Sequence, residues 1–302
     1  MIVSIGEPMI EFNQTRPGER KYLHGFGGDS SNMIIAAARS GARTAYVTRI
    51  GDDEFGRMFL ELWKREGVDP RGVVVDKEAP TAVYFVTHGP KGHAFSYLRA
   101  GSAASRMRPE DLPTEILHSA LTVHASGISM AISASAADTV LAAFEAARSS
   151  GAKISFDSNL RLKLWPLARA KALIGAAAAM ADYFFPSIED AEALSGKKGR
   201  EANLDWAHRL GAKIVFLKLG ADGVMVSDGA KREHIPGIEL ELVDATGAGD
   251  CFCGAALARL AAGDSVWDAA RYANAAAALK TTGFGAVEPL PRPDAVRHFL
   301  QT

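Results

Sequence analysis

Cysteine is scarce in this 302-residue chain: only Cys251 and Cys253 occur, with one residue between them. That argues against a scaffold stapled by disulfides and makes a reducing cytoplasm the expected setting. A surplus of either charge is also missing. The 34 Lys and Arg against 35 Asp and Glu leave a net charge of -1, whereas a protein that coats phosphate backbones needs basic excess to release counterions. Nucleic acid is therefore not an expected partner. Long apolar runs are absent too. The most apolar window, 172–185, is short, alanine-heavy and broken by Asp182, so no membrane span is expected. The first residues reach Glu7 without a basic stretch, unlike a secretory leader. What is present is ordinary for a globular protein: 48% hydrophobic and 23% charged residues, enough apolar surface to offset chain entropy. The length allows one large domain or two small ones.

Short β-branched runs alternate with longer amphipathic stretches, the pattern of a largely parallel sheet with crossover helices. Strands are expected at 2–5, 45–50, 121–125, 153–156, 183–185 and 214–217. Helices are expected at 31–40, 54–66, 135–149 and 164–180, and again from Ala248 through Leu260 and from Val266 to Lys280. Two stretches break the rhythm. Residues 12–25 and 81–98 are polar, turn-rich and alternating, as half-exposed antiparallel strands would be. The second holds a long hairpin around His88-Gly89-Pro90-Lys91-Gly92-His93. It reads equally well as a lid or dimer surface and as an antiparallel edge on the main sheet. No repeat, linker or composition shift marks a sequential domain cut.

The sharpest local signal is Val243-Asp244-Ala245-Thr246-Gly247-Ala248-Gly249-Asp250-Cys251-Phe252. Small residues let backbone approach a ligand, and a helix starting here turns its free N–H groups and positive dipole end outward as an anion hole. Asp250, in the first turn, reads either as a helix cap or as a general base within reach of the anion and a substrate hydroxyl. Competing motifs fail. No Gly-x-x-x-x-Gly-Lys-Ser/Thr occurs, and Gly25-Phe26-Gly27-Gly28-Asp29-Ser30 departs from the dinucleotide fingerprint at Ser30. Gly127-Ile128-Ser129-Met130-Ala131 is not a nucleophile elbow. The eight histidines lack zinc spacing, and the two cysteines read as small buried packing.

Gly27-Gly28 with Asn32 and Gly41, then Gly51-Asp52-Asp53-x-x-Gly56, then Asp244-Ala245-Thr246-Gly247-Ala248-Gly249-Asp250 together resemble the PfkB (ribokinase-like) carbohydrate kinases. The resemblance covers essentially the whole chain. It implies a three-layer α/β/α fold with a mainly parallel central sheet and a small β-sheet lid. Residues 1–302 would form one domain, with the discontinuous lid drawn from about 12–25 and 81–99. It also implies ATP-dependent, Mg²⁺-assisted phosphorylation of a sugar hydroxyl, with Asp250 as base and the amides of Gly247, Ala248 and Gly249 as anion hole. A monovalent cation is compatible with the pattern.

Within the family, Gly6-Glu7-Pro8-Met9-Ile10-Glu11-Phe12, Tyr97-Leu98-Arg99-Ala100-Gly101 and Asp157-Ser158-Asn159-Leu160-Arg161 resemble the members that act on 2-keto-3-deoxygluconate. Two arginines leaving strand ends suit a carboxylate, which a guanidinium matches with paired donors; singly, each also reads as a solvated surface charge. The sugar acid would then be held by Gly28, Asn32, Tyr84, Tyr97, Arg99 and Arg161. The nucleotide would meet Asn159, Ser187, Lys218, Gly220, Gly223, Asn274 and Gly285. One departure from the family pattern stands out. Where many members carry Asn-x-x-Glu, this chain has Ser187-Ile188-Glu189-Asp190, which leaves the metal to the shorter Asp190, through water, with Glu189 as a stand-in. The lid's apolar alternation makes self-association through it plausible.

Overall fold

The β-branched and aromatic runs are buried on both faces, as the strands of a covered parallel sheet must be. A computed structural model of the chain describes residues 1–89 and 92–301; Pro90 and Lys91, at the expected hairpin turn, lie outside the described residues. In chain order the strands are β1 (Ile2–Ile5), β2 (Met9–Gln14), β3 (Tyr22–Gly27), β4 (Thr44–Gly51), β5 (Val68–Asp76), β6 (Ala82–Gly89), β7 (Gly92–Leu98), β8 (Thr122–Ser126), β9 (Lys153–Asp157), β10 (Tyr183–Phe185), β11 (Ile214–Lys218), β12 (Val224–Ser227) and β13 (Arg232–Ile235). The helices are α1 (Asp29–Arg39), α2 (Glu54–Glu66), α3 (Thr114–His118), α4 (Gly127–Ala131), α5 (Ala134–Ser149), α6 (Leu167–Met180), α7 (Ile188–Ser195), α8 (Arg200–Leu210), α9 (Ala248–Ala261), α10 (Val266–Lys280) and α11 (Pro293–Gln301).

Nine strands form the main sheet in the order β13-β12-β11-β10-β9-β8-β1-β4-β5. It is parallel from β5 to β11 and closes with the antiparallel pair β12 and β13. One face packs Phe144, Ile174, Ala177 and Leu204 against Phe156 and Phe184. On the other, Met33, Phe59, Phe252 and Ala273 cover Phe185 and Phe216. The result is the expected α/β/α layering. Among the described residues no helix is long and apolar enough to cross a membrane.

Most expected bounds fall within two residues of those observed, and two larger differences have a local cause. The helix expected from Leu164 begins at Leu167, after Pro166, because the residue before a proline is pushed out of helical geometry. Strand β5 was not expected, since Asp69, Pro70 and Arg71 interrupt its apolar pattern; a register irregularity in its pairing with β4 absorbs them.

The out-of-rhythm stretches form a separate four-stranded sheet, β3-β2-β6-β7, rather than an edge of the main one. It is not wholly antiparallel. The two antiparallel pairs, β2/β3 and β6/β7, meet through a parallel contact between β2 and β6. These two strands each follow a strand-to-loop exit from the body, so they enter the small sheet in the same direction.

The approach of α1 to α9 depends on Gly254. A Cβ there would meet the Met33 carbonyl and lie 2.8 Å from Ala37 N, a separation real side chains do not tolerate. Gly254→Val should therefore force the helices apart, costing about 1–3 kcal/mol as overpacking does. A lowered melting temperature measured by circular dichroism, with reduced turnover, is the expected outcome; an unchanged one would contradict the packing.

Candidate active site

In an open parallel sheet, ligands collect beyond the carboxyl ends of the strands where the strand order reverses. Here that point lies at β1, flanked by β4 and β8, and the residues just past β1, β8, β9 and β11 converge there with the starts of α1 and α9. Gly247 begins α9 in the left-handed conformation, φ 78°. No side chain caps the helix, so Asp250 is not a cap. Its carboxylate Oδ2 instead accepts a hydrogen bond from Asn32 Nδ2 on α1, at 2.9 Å. The Ala248 amide donates to Ala245 O at 3.1 Å. That turns it into the turn itself, so the expected trio of donors is altered. Of the four amides from Gly247 to Asp250, those of Gly247, Gly249 and Asp250 have no protein acceptor among the described residues.

The Asp250 carboxyl is pushed up to about 7. Burial is the main cause, the charges of Asp29 and Asp157 add to it, and the Asn32 hydrogen bond and the Lys218 charge oppose it. A carboxyl with this affinity can take a proton near neutral pH. Asp244, on the far side of the turn, has a different task. Its Oδ1 accepts the Thr246 amide at 2.8 Å and its Oδ2 the Gly285 amide at 2.9 Å, bracing the turn against the segment after α10.

Lys218, the last residue of β11, reaches the same place. Its Nζ donates to Asp157 Oδ2 at 2.6 Å, and a Cβ on Gly249 would lie 3.5 Å from it. The Asp157 carboxylate holds the ammonium charged against the pull of burial, so a cation stands directly beside the exposed start of α9. Cys253 lies under this pair, its thiol 3.4 Å from Asp157 Oδ2. Both cysteines are free and buried, and burial pushes the Cys251 thiol up to about 12, which suits packing rather than redox chemistry.

Facing this end of the body, the small sheet presents Tyr84, directly opposite Tyr97 across β6 and β7. Tyr84 is buried and donates its hydroxyl to Glu11 on the adjacent β2. Gly28 keeps the entry to α1 close to this strand: its φ is +96° and a Cβ would strike Glu7 O and lie 2.9 Å from Pro8 Cα. Arg99, just past β7, sits 5.8 Å from the Tyr97 ring centroid and is ion-paired to Glu7, which is fully buried and also accepts from Ser102. Its charge is thus already opposed. Arg161 is exposed and donates to Leu160 O at 2.9 Å. The two arginines share no partner among the described residues.

Among the residues expected to meet the nucleotide, Asn159 holds a positive φ of 26°, with its amide on Asp157 Oδ1 (3.1 Å) and its side chain on Asp29 Oδ2 (2.8 Å). Ser187 caps α7 by accepting the Asp190 amide at 3.1 Å. Asp190 Oδ2 in turn accepts Ser158 Oγ (2.8 Å) and the Leu160 amide (3.0 Å). Gly220 and Gly223 form the turn between β11 and β12, where the Leu219 amide bonds Gly223 O at 2.8 Å. Asn274 lines a cavity of about 270 Å³ with Ile235, Pro236 and Ile238 and donates to Pro236 O at 2.9 Å.

No three His, Cys, Asp or Glu side chains form a metal cage among the described residues. Magnesium asks for less, since it keeps waters and takes one or two carboxylates plus substrate phosphates. Asp190 fits that demand: both of its hydrogen bonds fall on Oδ2, leaving Oδ1 for a metal-bound water. Reading the sequence passed over Glu7, Glu11, Asp29 and Asp157. For Glu11 and Asp157 the available signal was an acid inside or at the end of an otherwise apolar strand, where only a partner or a ligand repays its burial; Glu7, between β1 and β2, and Asp29, at the start of α1, carried no such signal.

A family model described as "pfkB family carbohydrate kinase" matches residues 1–293. This chain belongs to the pfkB family of carbohydrate kinases. Among its relatives, a 2-dehydro-3-deoxygluconokinase of Thermoproteus tenax is 34% identical over 99% of this chain and 94% of that protein. Fructokinase-2 of Solanum habrochaites is also 34% identical, over 96% of this chain and 93% of its own length. The crystal structure of a fructokinase with bound ATP from Xylella fastidiosa superposes with a TM-score of 0.92 at 26% identity, covering 99% and 98% of the two chains. The chain is accordingly a sugar kinase, a phosphotransferase with an alcohol group as acceptor.

For this pfkB kinase, Asn32→Ala removes the hydrogen bond that favours the charged Asp250. Protonated Asp250 cannot accept a proton, so activity should fall as pH drops through its pKa. In the variant the acid limb of the kcat/KM profile is expected to move to higher pH; a limb that stays in place would show that the bond does not tune the base.

Proposed function

We propose that this kinase transfers the γ-phosphoryl group of ATP to the 6-hydroxyl of 2-keto-3-deoxygluconate. The observation that carries the chemistry is Asp250, with its raised proton affinity, at the start of α9 beside amides that have no protein acceptor. As the sugar oxygen attacks, its proton passes to the Asp250 carboxylate. The O6–Pγ bond forms, the bond from Pγ to the β,γ-bridging oxygen breaks, and ADP departs. The amides of Gly247, Gly249 and Asp250, with Lys218 beside them, meet the charge spread over the three phosphoryl oxygens. Magnesium, which Asp190 would hold through water, would supply neutralisation of the nucleotide phosphates.

The sugar would lie between the start of α1 and the small sheet, against Gly28, Asn32, Tyr84, Tyr97 and Glu11. Closure of that sheet as a lid would exclude water that otherwise hydrolyses ATP. Arg99 and Arg161 would meet the carboxylate, Arg99 by exchanging part of its pairing with Glu7. The nucleotide would extend past Asn159, Ser187, Gly220 and Gly223 toward Asn274 and Gly285. Exposed Leu23 and Leu98 at the two edges of the small sheet support self-association through it.

A neutral sugar such as fructose is the second reading. The Arg99–Glu7 pair favours it, because an arginine whose charge is already opposed gains less from a carboxylate.

Asp250→Asn should lower kcat by about 10²–10⁴-fold, the usual worth of a general base, while sugar affinity measured by calorimetry survives. Near-normal turnover would sink the mechanism. Arg161→Ala leaves the fold intact, since the side chain is exposed. It should raise KM for the keto acid about tenfold without changing KM for ATP. A coupled ADP-release assay across sugar acids and fructose tests the choice of substrate: faster turnover of fructose would favour the neutral sugar.

A further inference from the structure

Lys280 is the last residue of α10 and is fully buried. A charged amine taken wholly out of water is costly unless something holds it. At the end of a helix, a leucine or methionine would pack more cheaply. The amine meets backbone: Nζ donates to the carbonyl oxygen of Asp244 at 2.8 Å. The same short stretch is stitched again by the amides of Val243 and Asp244, which both donate to Thr281 O at 2.9 and 3.0 Å. The Asp244 carboxylate completes the seam through the Thr246 and Gly285 amides. Six residues beyond Asp244 stands Asp250. The charges that face the ammonium are Asp244, Asp250 and Glu11, with the Cys251 thiol beside them. The cation therefore lies behind the turn that offers donors to the phosphoryl group, on the side away from solvent.

We propose that Lys280 is a positioning residue for phosphoryl transfer: its buried ammonium is a resident cation that holds the Asp244 carbonyl and sets the 244–250 turn, so that the turn needs no dissolved monovalent cation at that carbonyl. This rests on the reading of 244–250 as the transfer site. The cation does not touch the reacting atoms. It fixes the carbonyl from which the turn starts, and its charge balances Asp244 and Asp250 at a depth where solvent cannot.

The test is Lys280→Ala, whose lost side chain leaves a space beside the carbonyl that a small cation can enter. The folded variant is expected to lose at least tenfold in kcat while KM for the sugar stays within twofold. Ammonium or methylammonium chloride should restore activity severalfold, and tetramethylammonium should not. A loss confined to general stability would show neither the split nor the rescue. A kcat within threefold of wild type, or a loss that no small ammonium ion restores, overturns the proposal. Amide exchange at 245–250 reads the tether without turnover. Faster exchange in the variant, slowed again by ammonium, is expected whatever the substrate, which separates failure of the tether from failure of the transfer-site reading. Should the variant not fold, wild type decides the matter. Its turnover is expected to be the same in potassium as in tetramethylammonium salts, and a strong potassium requirement overturns the proposal.

Discussion

The contact between α1 and α9 governs the rest of the site. The two helices lie on the same face of the sheet, and the missing side chain at Gly254 lets their backbones approach until residue 254 rests against the Met33 carbonyl. That approach brings Asn32, at the start of one helix, within 2.9 Å of Asp250, at the start of the other. Both helices point their N-terminal ends at the same volume. Two positive dipole ends, one amide side chain and one carboxylate thus share a small space, and a phosphorylated ligand suits it better than any neutral one.

Around that contact the protein buries more charge than its near-zero net balance suggests. Asp157 raises the proton affinity of Asp29, and the charges of Asp29 and Asp157 together raise that of Asp250. Lys218 sits among them, bonded to Asp157. Such a cluster stabilises the fold poorly, because each ion pays for dehydration before its partner compensates. It is well suited to a reaction that moves one proton and a highly charged phosphoryl group. In the proposed reaction the carboxylates would keep Asp250 from ionising too readily, and the ammonium would keep the pocket from repelling a nucleotide.

The small sheet supplies a different kind of surface. Its two antiparallel pairs join through the parallel contact of β2 and β6, which sets Glu11 beside Tyr84 and Tyr84 opposite Tyr97. Acidic and aromatic side chains of this sort hydrogen-bond hydroxyls and stack on the carbon faces of a sugar. The Glu7–Arg99 pair at its base joins the sheet to the body, so the residues that would read a substrate's charge are part of the same joint that would let the sheet move.

Much of this was legible along the chain. The helix Glu54–Glu66 is bounded by Asp53 and Gly67, and the strand Tyr183–Phe185 by its aromatic run, because capping and burial are local properties. The glycine turn before Asp250 announced an exposed helix start for the same reason. What the sequence left open depended on distance. Asp250 could be a cap until Asn32, 218 residues away, was seen to hold it. Asp190 and Ser187 looked like ligands, and the structure shows them bonding each other and the loop after β9. Arg99 looked like a free clamp until Glu7, which comes before the first strand of the small sheet and lies far from Arg99 in the chain, was found against it. The order of amino acids determined the elements, their caps and the family to which the chain belongs, since these follow from patterns a few residues long. Only the tertiary structure decided which charges are paired, because a carboxylate's partner is chosen by packing across the sheet and not by its neighbours in the chain.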